Sequence, residues 1–272
     1  MTTPEEKKIL ENIEKTGYPL EIDVSTWLIE DGWKAYPEWS YFDKQTGAMR
    51  AIDIVADYVL KGFEEYVTPL LLVECKTSKN PWVFYSIYAY SDEKKVVGWD
   101  DLRQTAMGHE VNHLLQLDGK AVSYSLDDMV QLFKNVHLFS SRLPHSFSCH
   151  VVREKARENE PDDFHRAILE LRGAYLDLER FPGKPIFMVI VLRGKMFELW
   201  RRQGVSKLIP RSHVMFQTLA MMSEETRLYP PTIVDVVTDT YFQDYLKIIK
   251  EDFKVLRTMY DRLYKKRRGK QR

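Results

Sequence analysis

Cysteine is scarce in this chain, because its 272 residues include only Cys75 and Cys149. Two distant cysteines exclude a disulfide framework and a cysteine-based zinc site. Long apolar runs are also missing, since no stretch approaches the roughly 20 consecutive apolar residues that span a bilayer. Residues 1–8 carry no apolar signal segment. We therefore expect a cytoplasmic protein that does not enter a membrane.

The chain lacks an excess of charge of either sign, with 40 Lys and Arg against 40 Asp and Glu. This balance argues against a protein wrapped uniformly in nucleic acid, but local patches stay possible. Residues 265–272 carry six positive charges and could hold a phosphate backbone or form a solvated tail. With 44% hydrophobic residues, the chain can bury the core of one large domain, 1–272.

Two carboxylates lie where buried strands are predicted, one on each of two strands. Asp53 interrupts the apolar run 51–56, and Glu74 follows the apolar run 70–73 directly. Lys76 lies two residues after Glu74 and therefore points to the same face of a strand. Carboxylates from neighbouring strands supply hard oxygen ligands for Mg²⁺, and a lysine beside them suits hydrolysis of a phosphodiester. The alternative is a buried carboxylate satisfied by a lysine or by backbone amides.

Hydrophobic periodicity predicts an α/β fold in which a helix carrying Glu21 precedes a hairpin and a third strand. Beyond Pro81 the regular pattern is hard to follow, and we interpret residues 79–160 as an insertion that forms a cap. A turn at Arg193-Gly194 predicts a second hairpin. The predicted helices cover 4–16, 20–31, 100–117, 161–181 and 240–264, and the predicted strands cover 33–43, 49–60, 66–76, 82–88, 185–192, 195–200 and 233–237.

Three motifs follow one another on the first of these elements: Gly17-Tyr18-Pro19-Leu20-Glu21, Ile52-Asp53-Ile54-Val55-Ala56 and Val73-Glu74-Cys75-Lys76-Thr77. Together they resemble the motifs of the restriction-endonuclease-like PD-(D/E)xK nuclease superfamily. The resemblance covers residues 17–77 well and 161–240 loosely. Two departures occur: Ile52 stands where the superfamily's name has proline, and Ala51 stands where many members place another acid.

The resemblance implies a central mixed β-sheet flanked by helices, with the inserted cap between the catalytic strand and the following core helix. It implies a metal-dependent nuclease in which Asp53 and Glu74 bind Mg²⁺, helped by the backbone carbonyl of Cys75, with Mn²⁺ as a substitute. Lys76 would orient or deprotonate the attacking water, and Glu21 would hold a further water or another metal position. DNA is the expected substrate, and a homodimer would suit cleavage of both strands.

A rival motif is the HExxH spelling of His109-Glu110-Val111-Asn112-His113, which is typical of zinc hydrolases. Its third ligand has no clear candidate, although His137 and Glu154 are available. Two polar histidines on an insertion helix are the plainer interpretation. A second alternative is a nucleic-acid-binding protein of the same fold that has lost catalysis, but the intact set of Asp53, Glu74 and Lys76 favours an enzyme.

Overall fold

The structure is a computed structural model that describes residues 3–14, 16–43, 46–58, 69–86, 137, 145–152, 163–178, 186–202, 204–217 and 233–270. These residues form four α-helices and ten strands. The helices are α1 (Pro4–Ile13), α2 (Tyr18–Glu30), α3 (Asp163–Leu178) and α4 (Phe242–Lys270). The strands are β1 (Lys34–Asp43), β2 (Ala48–Asp57), β3 (Leu70–Thr77), β4 (Trp82–Ser86), β5 (His145–Val151), β6 (Ile186–Arg193), β7 (Met196–Arg202), β8 (Val205–Pro210), β9 (His213–Gln217) and β10 (Ile233–Thr238).

All ten strands belong to one mixed sheet, in the order β1-β2-β3-β6-β10-β9-β5-β4-β7-β8. Helices α2 and α4 pack on one face of this sheet and α3 packs on the other, so that two hydrophobic cores form. The predicted α/β fold with a mixed sheet between helices is therefore confirmed. Among the described residues, no helix is long and apolar enough to cross a membrane.

The middle of the sheet is apolar on both faces. Strand β6 is buried along Ile186–Leu192 and pairs in parallel with β3 and β10. Continuous apolar strands of this kind are typical of parallel pairs that are covered on both sides. Strand β3 has the same character until Glu74, and its alternate residues Val73 and Cys75 join the core of α2 and α4. Cys75 thus faces away from Glu74 and Lys76, as the sequence predicts.

The predicted hairpin between 185–192 and 195–200 is wrong, although both strands exist. Strand β6 has β3 and β10 as its neighbours, whereas β7 pairs with β4 and β8. The chain leaves β6 through Gly194, where an added Cβ would lie 2.7 Å from the carbonyl oxygen of Ser78. Because both edges of β6 are already occupied, the next strand must extend a different part of the sheet.

The described residues of the segment 79–160 contribute two strands to this sheet. Strand β4 confirms the predicted strand near Trp82, and β5 pairs with both β4 and β9. The helix predicted near 100–117 lies outside the described residues. A cap formed by the remainder of this segment therefore stays a prediction.

Helix α3 lies against β1 through an unusually close contact. A Cβ added at Gly173 would lie 2.7 Å from Cε2 of Tyr41 and 2.9 Å from its hydroxyl oxygen. Only glycine lets the buried Tyr41 ring approach the helix this closely. This contact fixes the height at which α3 crosses the sheet, and hence the position of Glu170 one turn earlier.

Candidate active site

Asp53 lies where strands β2 and β3 stop pairing. Their register runs from Asp57 opposite Leu70 to Ile54 opposite Val73 and ends there. Beyond this point the backbone N–H of Cys75 donates a hydrogen bond to Oδ2 of Asp53, at 2.6 Å. The carboxylate thus takes the place of a backbone partner and is held beside β3.

The neighbouring strand is distorted at the same level. Glu38 of β1 lies between Pro37, which faces Ile54, and Trp39, which faces Ile52. Its φ of 50° lies in the left-handed region, which residues other than glycine seldom adopt. Such local distortions of strands are common beside functional sites. The sequence gives no indication of this feature.

Glu74 is almost fully buried, with 1% of its surface exposed. Its Oε2 accepts a hydrogen bond from Nζ of Lys76 at 2.7 Å. Its Oε1 has no hydrogen-bond partner within the described part of the chain. A buried carboxylate oxygen without a donor or a cation is costly, and it calls for a specific explanation.

Helix α3 adds a carboxylate that the sequence analysis did not identify. Oε2 of Glu170 lies 3.3 Å from Nζ of Lys76, on the same face of the sheet as Glu74. We call Asp53, Glu74, Lys76 and Glu170 the acid cluster. Glu170 was missed because the helical pattern predicts which face of α3 is apolar but not which strand its polar edge approaches.

The acids of this cluster are electrostatically unfavourable in their charged form. Burial raises the pKa of Glu74 well above its usual value, and the charges of Asp53 and Glu170 add to this while Lys76 opposes it. Burial also raises the pKa of Asp53. For Lys76, burial acts to lower the pKa, but the surrounding carboxylates outweigh it and raise the pKa. One lysine therefore stays charged among several carboxylates that it cannot fully neutralise.

Glu21 lies at the margin of the acid cluster, in the first turn of α2. Burial raises its pKa first, followed by the negative charges of Asp53 and Glu38, while Lys76 lowers it. Glu21 is therefore in the same electrostatic environment, although no hydrogen bond joins it to the cluster among the described side chains. Its role at a second metal position stays a prediction.

The acid cluster fits a divalent cation by its chemistry. Carboxylate oxygens are the ligands that hard cations such as Mg²⁺ prefer. The cluster has more carboxylates than positive charges, and Oε1 of Glu74 lacks a partner. Asp53 and Glu74 are the residues that would hold the ion. The predicted contribution of the Cys75 carbonyl and the choice of Mg²⁺ stay predictions.

A second buried cluster of ionisable groups lies on the opposite face of the sheet. Nε2 of His137 lies 3.0 Å from Oδ2 of Asp235, and Nε2 of His213 lies 2.7 Å from Oδ1. The hydroxyl of Tyr245 donates to Oδ2 of Asp235 at 3.0 Å. Asp252 accepts hydrogen bonds from the backbone N–H of His137, at 2.9 Å, and from its Nδ1. We call these five residues the histidine–aspartate cluster.

Metal-ligating atoms of His137, His213 and Asp235 lie within 4.8 Å of one another, so this cluster also has the residue types of a metal site. The facing atoms, however, already pair with each other. Burial lowers the pKa of His137, but Asp235 and Asp252 outweigh it and raise the pKa to about 10. His137 and Asp235 thus carry opposite charges that match, although Nδ1 of His213 has no hydrogen-bond partner among the described residues. Because the facing atoms are paired, we interpret the cluster as structural. The HExxH residues His109, Glu110 and His113 lie outside the described residues.

Next to the acid cluster is a pocket of ≈ 120 Å³ between the β1–β2 hairpin and α3. Tyr41 and Glu170 line it, together with the arginines Arg50, Arg166 and Arg172. Burial, and then the charges of Asp43 and Glu170, raise the pKa of Tyr41 to about 12. Its hydroxyl therefore stays protonated at neutral pH. Because Glu170 borders the pocket and contacts Lys76, the pocket adjoins the acid cluster directly.

Comparisons with protein-family models, with curated proteins and with solved structures found no match to this chain.

Proposed function

We propose that the chain is a Mg²⁺-dependent nuclease with a restriction-endonuclease-like fold of the PD-(D/E)xK type, and that DNA is its substrate. The observation that carries this proposal is the convergence of Asp53, Glu74 and Lys76 from adjacent strands, with a buried oxygen of Glu74 left unpaired. A metal ion would give that oxygen a partner.

The order of elements supports the proposal. Helix α2 with Glu21 precedes the antiparallel pair of β1 and β2, then β3 with its Glu-Cys-Lys sequence; α3 and the parallel strand β6 follow after the intervening strands β4 and β5. This is the order that the resemblance of the three motifs implies. A fold of this kind hosts many functions, and the assignment therefore depends on the residues of the site.

In this proposal Asp53 and Glu74 bind the cation from one face of the sheet. Lys76 lies between Glu74 and Glu170, at 2.7 and 3.3 Å from their oxygens, so its ammonium group is held in place by the protein. A positive charge fixed in this way stabilises negative charge that develops on the phosphoryl oxygens. Glu170 orients Lys76 without being required as a metal ligand.

A bound Mg²⁺ would polarise a phosphoryl oxygen and lower the pKa of a coordinated water. The chain's own residues supply the dry surroundings, since Glu74 is 1% exposed and the strands below it are buried. Electrostatic interactions are stronger in such surroundings than in water. The reaction would be hydrolytic, with no covalent intermediate on the protein.

The test is cleavage of single- and double-stranded DNA and RNA oligonucleotides with Mg²⁺, with Mn²⁺ and with EDTA. Wild type is expected to cut at least one DNA substrate only with metal, and Asp53→Asn and Lys76→Met to cut at least about a hundredfold more slowly. The matched controls are Asp57→Asn on the same strand and the exposed Lys79→Met. Both should cut like wild type.

Two results would overturn the proposal: well-folded wild type that leaves all four substrates intact with either metal, or an Asp53→Asn variant that cuts as fast as wild type. Binding of the same oligonucleotides without cleavage would instead favour the alternative of a nucleic-acid-binding protein. Analytical ultracentrifugation with a DNA duplex tests the expected homodimer, which would place two sites on one duplex.

A further inference from the structure

Arg50, one of the three arginines that line the pocket beside the acid cluster, is held in place by neighbouring side chains. Nε of Arg50 lies 2.9 Å from Oδ2 of Asp43 and 3.4 Å from Oγ1 of Thr46. Thr46 in turn donates to Oδ2 of Asp43 at 2.6 Å. The two terminal nitrogens of Arg50 have no partner among the described residues, and 45% of its side chain is exposed. The guanidinium is thus anchored by one edge and open at the other.

The second arginine comes from α3. Arg166 is exposed, lines the same pocket, and forms no ion pair or hydrogen bond with any described residue. It precedes Glu170 by four residues, which is about one helical turn and about 5.4 Å along the helix axis. Its guanidinium can therefore turn toward the pocket without leaving another partner unpaired.

The acids of the pocket are already neutralised by neighbours. Asp43 pairs with Arg50, and Glu170 pairs with Lys76 of the acid cluster. Among the described residues that line the pocket, the terminal nitrogens of Arg50 and the guanidinium of Arg166 are positively charged donors without a hydrogen-bond partner. Arginine presents planar paired donors that match phosphate oxygens, and this match is specific in geometry as well as charge.

We propose that Arg50 and Arg166 bind a backbone phosphate of the nucleic-acid strand, within one or two nucleotides of the phosphate that lies at the acid cluster. This inference rests on the proposed function, because it takes the acid cluster as the position of the scissile phosphate. The short separation follows from Glu170, which borders the pocket and lies 3.3 Å from Lys76. Successive phosphates of one strand are only about 3.4 Å apart along the axis.

The experiment measures nucleic-acid affinity without cleavage. Fluorescence anisotropy of labelled single- and double-stranded DNA and single-stranded RNA gives Kd in the Asp53→Asn background with EDTA, at several salt concentrations. Arg50→Gln, Arg166→Gln and the double variant are compared with Lys207→Gln, an exposed cation on β8 at the opposite end of the strand order. Thermal unfolding confirms that each variant is folded.

For the double variant we expect Kd to rise about tenfold or more, which is about 1.4 kcal/mol, since charge-assisted hydrogen bonds to the phosphate are lost. The logarithm of the binding constant decreases with the logarithm of the salt concentration. In the double variant this negative slope should become less steep by about 0.7–0.9, the value for one phosphate contact. Lys207→Gln should change neither quantity. Unlabelled pyrophosphate should compete more weakly than unlabelled oligonucleotide, because it fills only this pocket.

An unchanged Kd and salt slope in the double variant would overturn the inference, and so would wild-type protein that binds none of the three nucleic acids. If pyrophosphate competed as well as the oligonucleotide, the ligand of the two arginines would be a small phosphate compound rather than a nucleic-acid strand. That result would also overturn the inference. Failure of the proposed function looks different: the protein would bind nucleic acid through both arginines but would cut no substrate with either metal.

Discussion

Two buried clusters of ionisable groups lie on opposite faces of the same sheet, and their charges are balanced very differently. In the histidine–aspartate cluster, Asp235 accepts hydrogen bonds from two histidines and a tyrosine. Although burial acts to raise the pKa of Asp235, His137 and His213 lower it below its usual range. Asp252 does not share this lowering, because burial raises its pKa although His137 opposes it. In the acid cluster the pKa of both Asp53 and Glu74 is raised.

Under the proposed function, this difference separates a structural cluster from a metal-binding one. A balanced cluster stabilises the fold as it stands, and removing one member leaves the others buried and unpaired. A cluster with excess negative charge destabilises the fold until a cation or a substrate group binds. Functional sites are commonly kept at such a cost in stability.

The largest effect on stability is expected at Asp235. Its replacement by Ala leaves His137, His213 and Tyr245 without their common acceptor, and the free energy of unfolding should fall by about 3–5 kcal/mol. Urea denaturation measures the loss. The exposed Asp244→Ala, on α4, is the control and should change stability by less than about 0.5 kcal/mol. A loss below about 1 kcal/mol for Asp235→Ala would mean that this cluster is not structural.

At Asp53 we expect a large loss of activity without a loss of stability, in contrast to Asp235. Asp53→Asn keeps an oxygen that can accept the Cys75 N–H but removes the charge, so the cleavage rate should fall at least about a hundredfold. The free energy of unfolding should stay the same or rise, because burial disfavours the charged carboxylate. Parallel cleavage and urea measurements check both quantities. If Asp53→Asn were inactive because it is unfolded, Asp53 would be needed for stability as Asp235 is. That result would contradict the difference between the two clusters.

Gly173→Ala tests whether the position of α3 depends on its close contact with Tyr41, and it changes no charge. The new methyl group would lie 2.7 Å from the Tyr41 ring, so α3 must shift and stability should fall by about 1–3 kcal/mol. In an ordinary helix the same change is stabilising. A second change, Tyr41→Leu, should relieve the contact and restore part of the loss in a double-mutant cycle. Additive losses would show that the ring does not determine the helix position.

The pH dependence of the free energy of unfolding should show whether His137 is charged in the folded protein. Its pKa is raised to about 10 when folded, against about 6.5 when unfolded. A raised pKa means that its contribution is fully present below about pH 6.5 and is lost as the pH rises toward about 10. Wild type should therefore lose stability over this window more steeply than His137→Asn, with Asp235, Asp252, His213 and Tyr245 unchanged. Equal slopes in thermal unfolding would contradict a charged His137.

The smallest effect is expected at Glu74. Its pKa is raised above the unfolded value of about 4.3, so its contribution to stability is lost as the pH rises through the folded pKa. In EDTA at pH 8, Glu74→Gln should be more stable than wild type by up to about 1 kcal/mol, and this advantage should shrink toward pH 4.5. Thermal unfolding at both pH values tests it. A less stable variant at pH 8 would show that Lys76 fully compensates the carboxylate.

The positions on strands that the sequence predicts correctly are those whose environment is local. Asp53 could be placed because it interrupts an apolar run and Glu74 because it directly follows one, and the directions of Lys76 and Cys75 follow from the alternation of a strand. The first hairpin follows from its polar loop. None of these inferences depends on which strands are neighbours in the sheet.

The features that the sequence did not predict depend on long-range pairing. Glu170 reaches Lys76 across 94 residues, and His137 reaches Asp252 across 115. The short spacing between β6 and β7 is typical of a hairpin, but both edges of β6 are taken by distant strands. Strand β8 is mostly exposed and therefore lacks the apolar alternation that marks a strand.

The most direct test is calorimetric titration of the protein with Mg²⁺ and Mn²⁺ in the absence of nucleic acid. Wild type and Asp57→Asn should bind the ion, Asp53→Asn and Glu74→Gln should not, and His213→Gln should bind like wild type. Wild type that bound neither ion would contradict a metal site at the acid cluster. So would binding that is lost in His213→Gln and kept in Asp53→Asn, because the cation would then belong to the histidine–aspartate cluster.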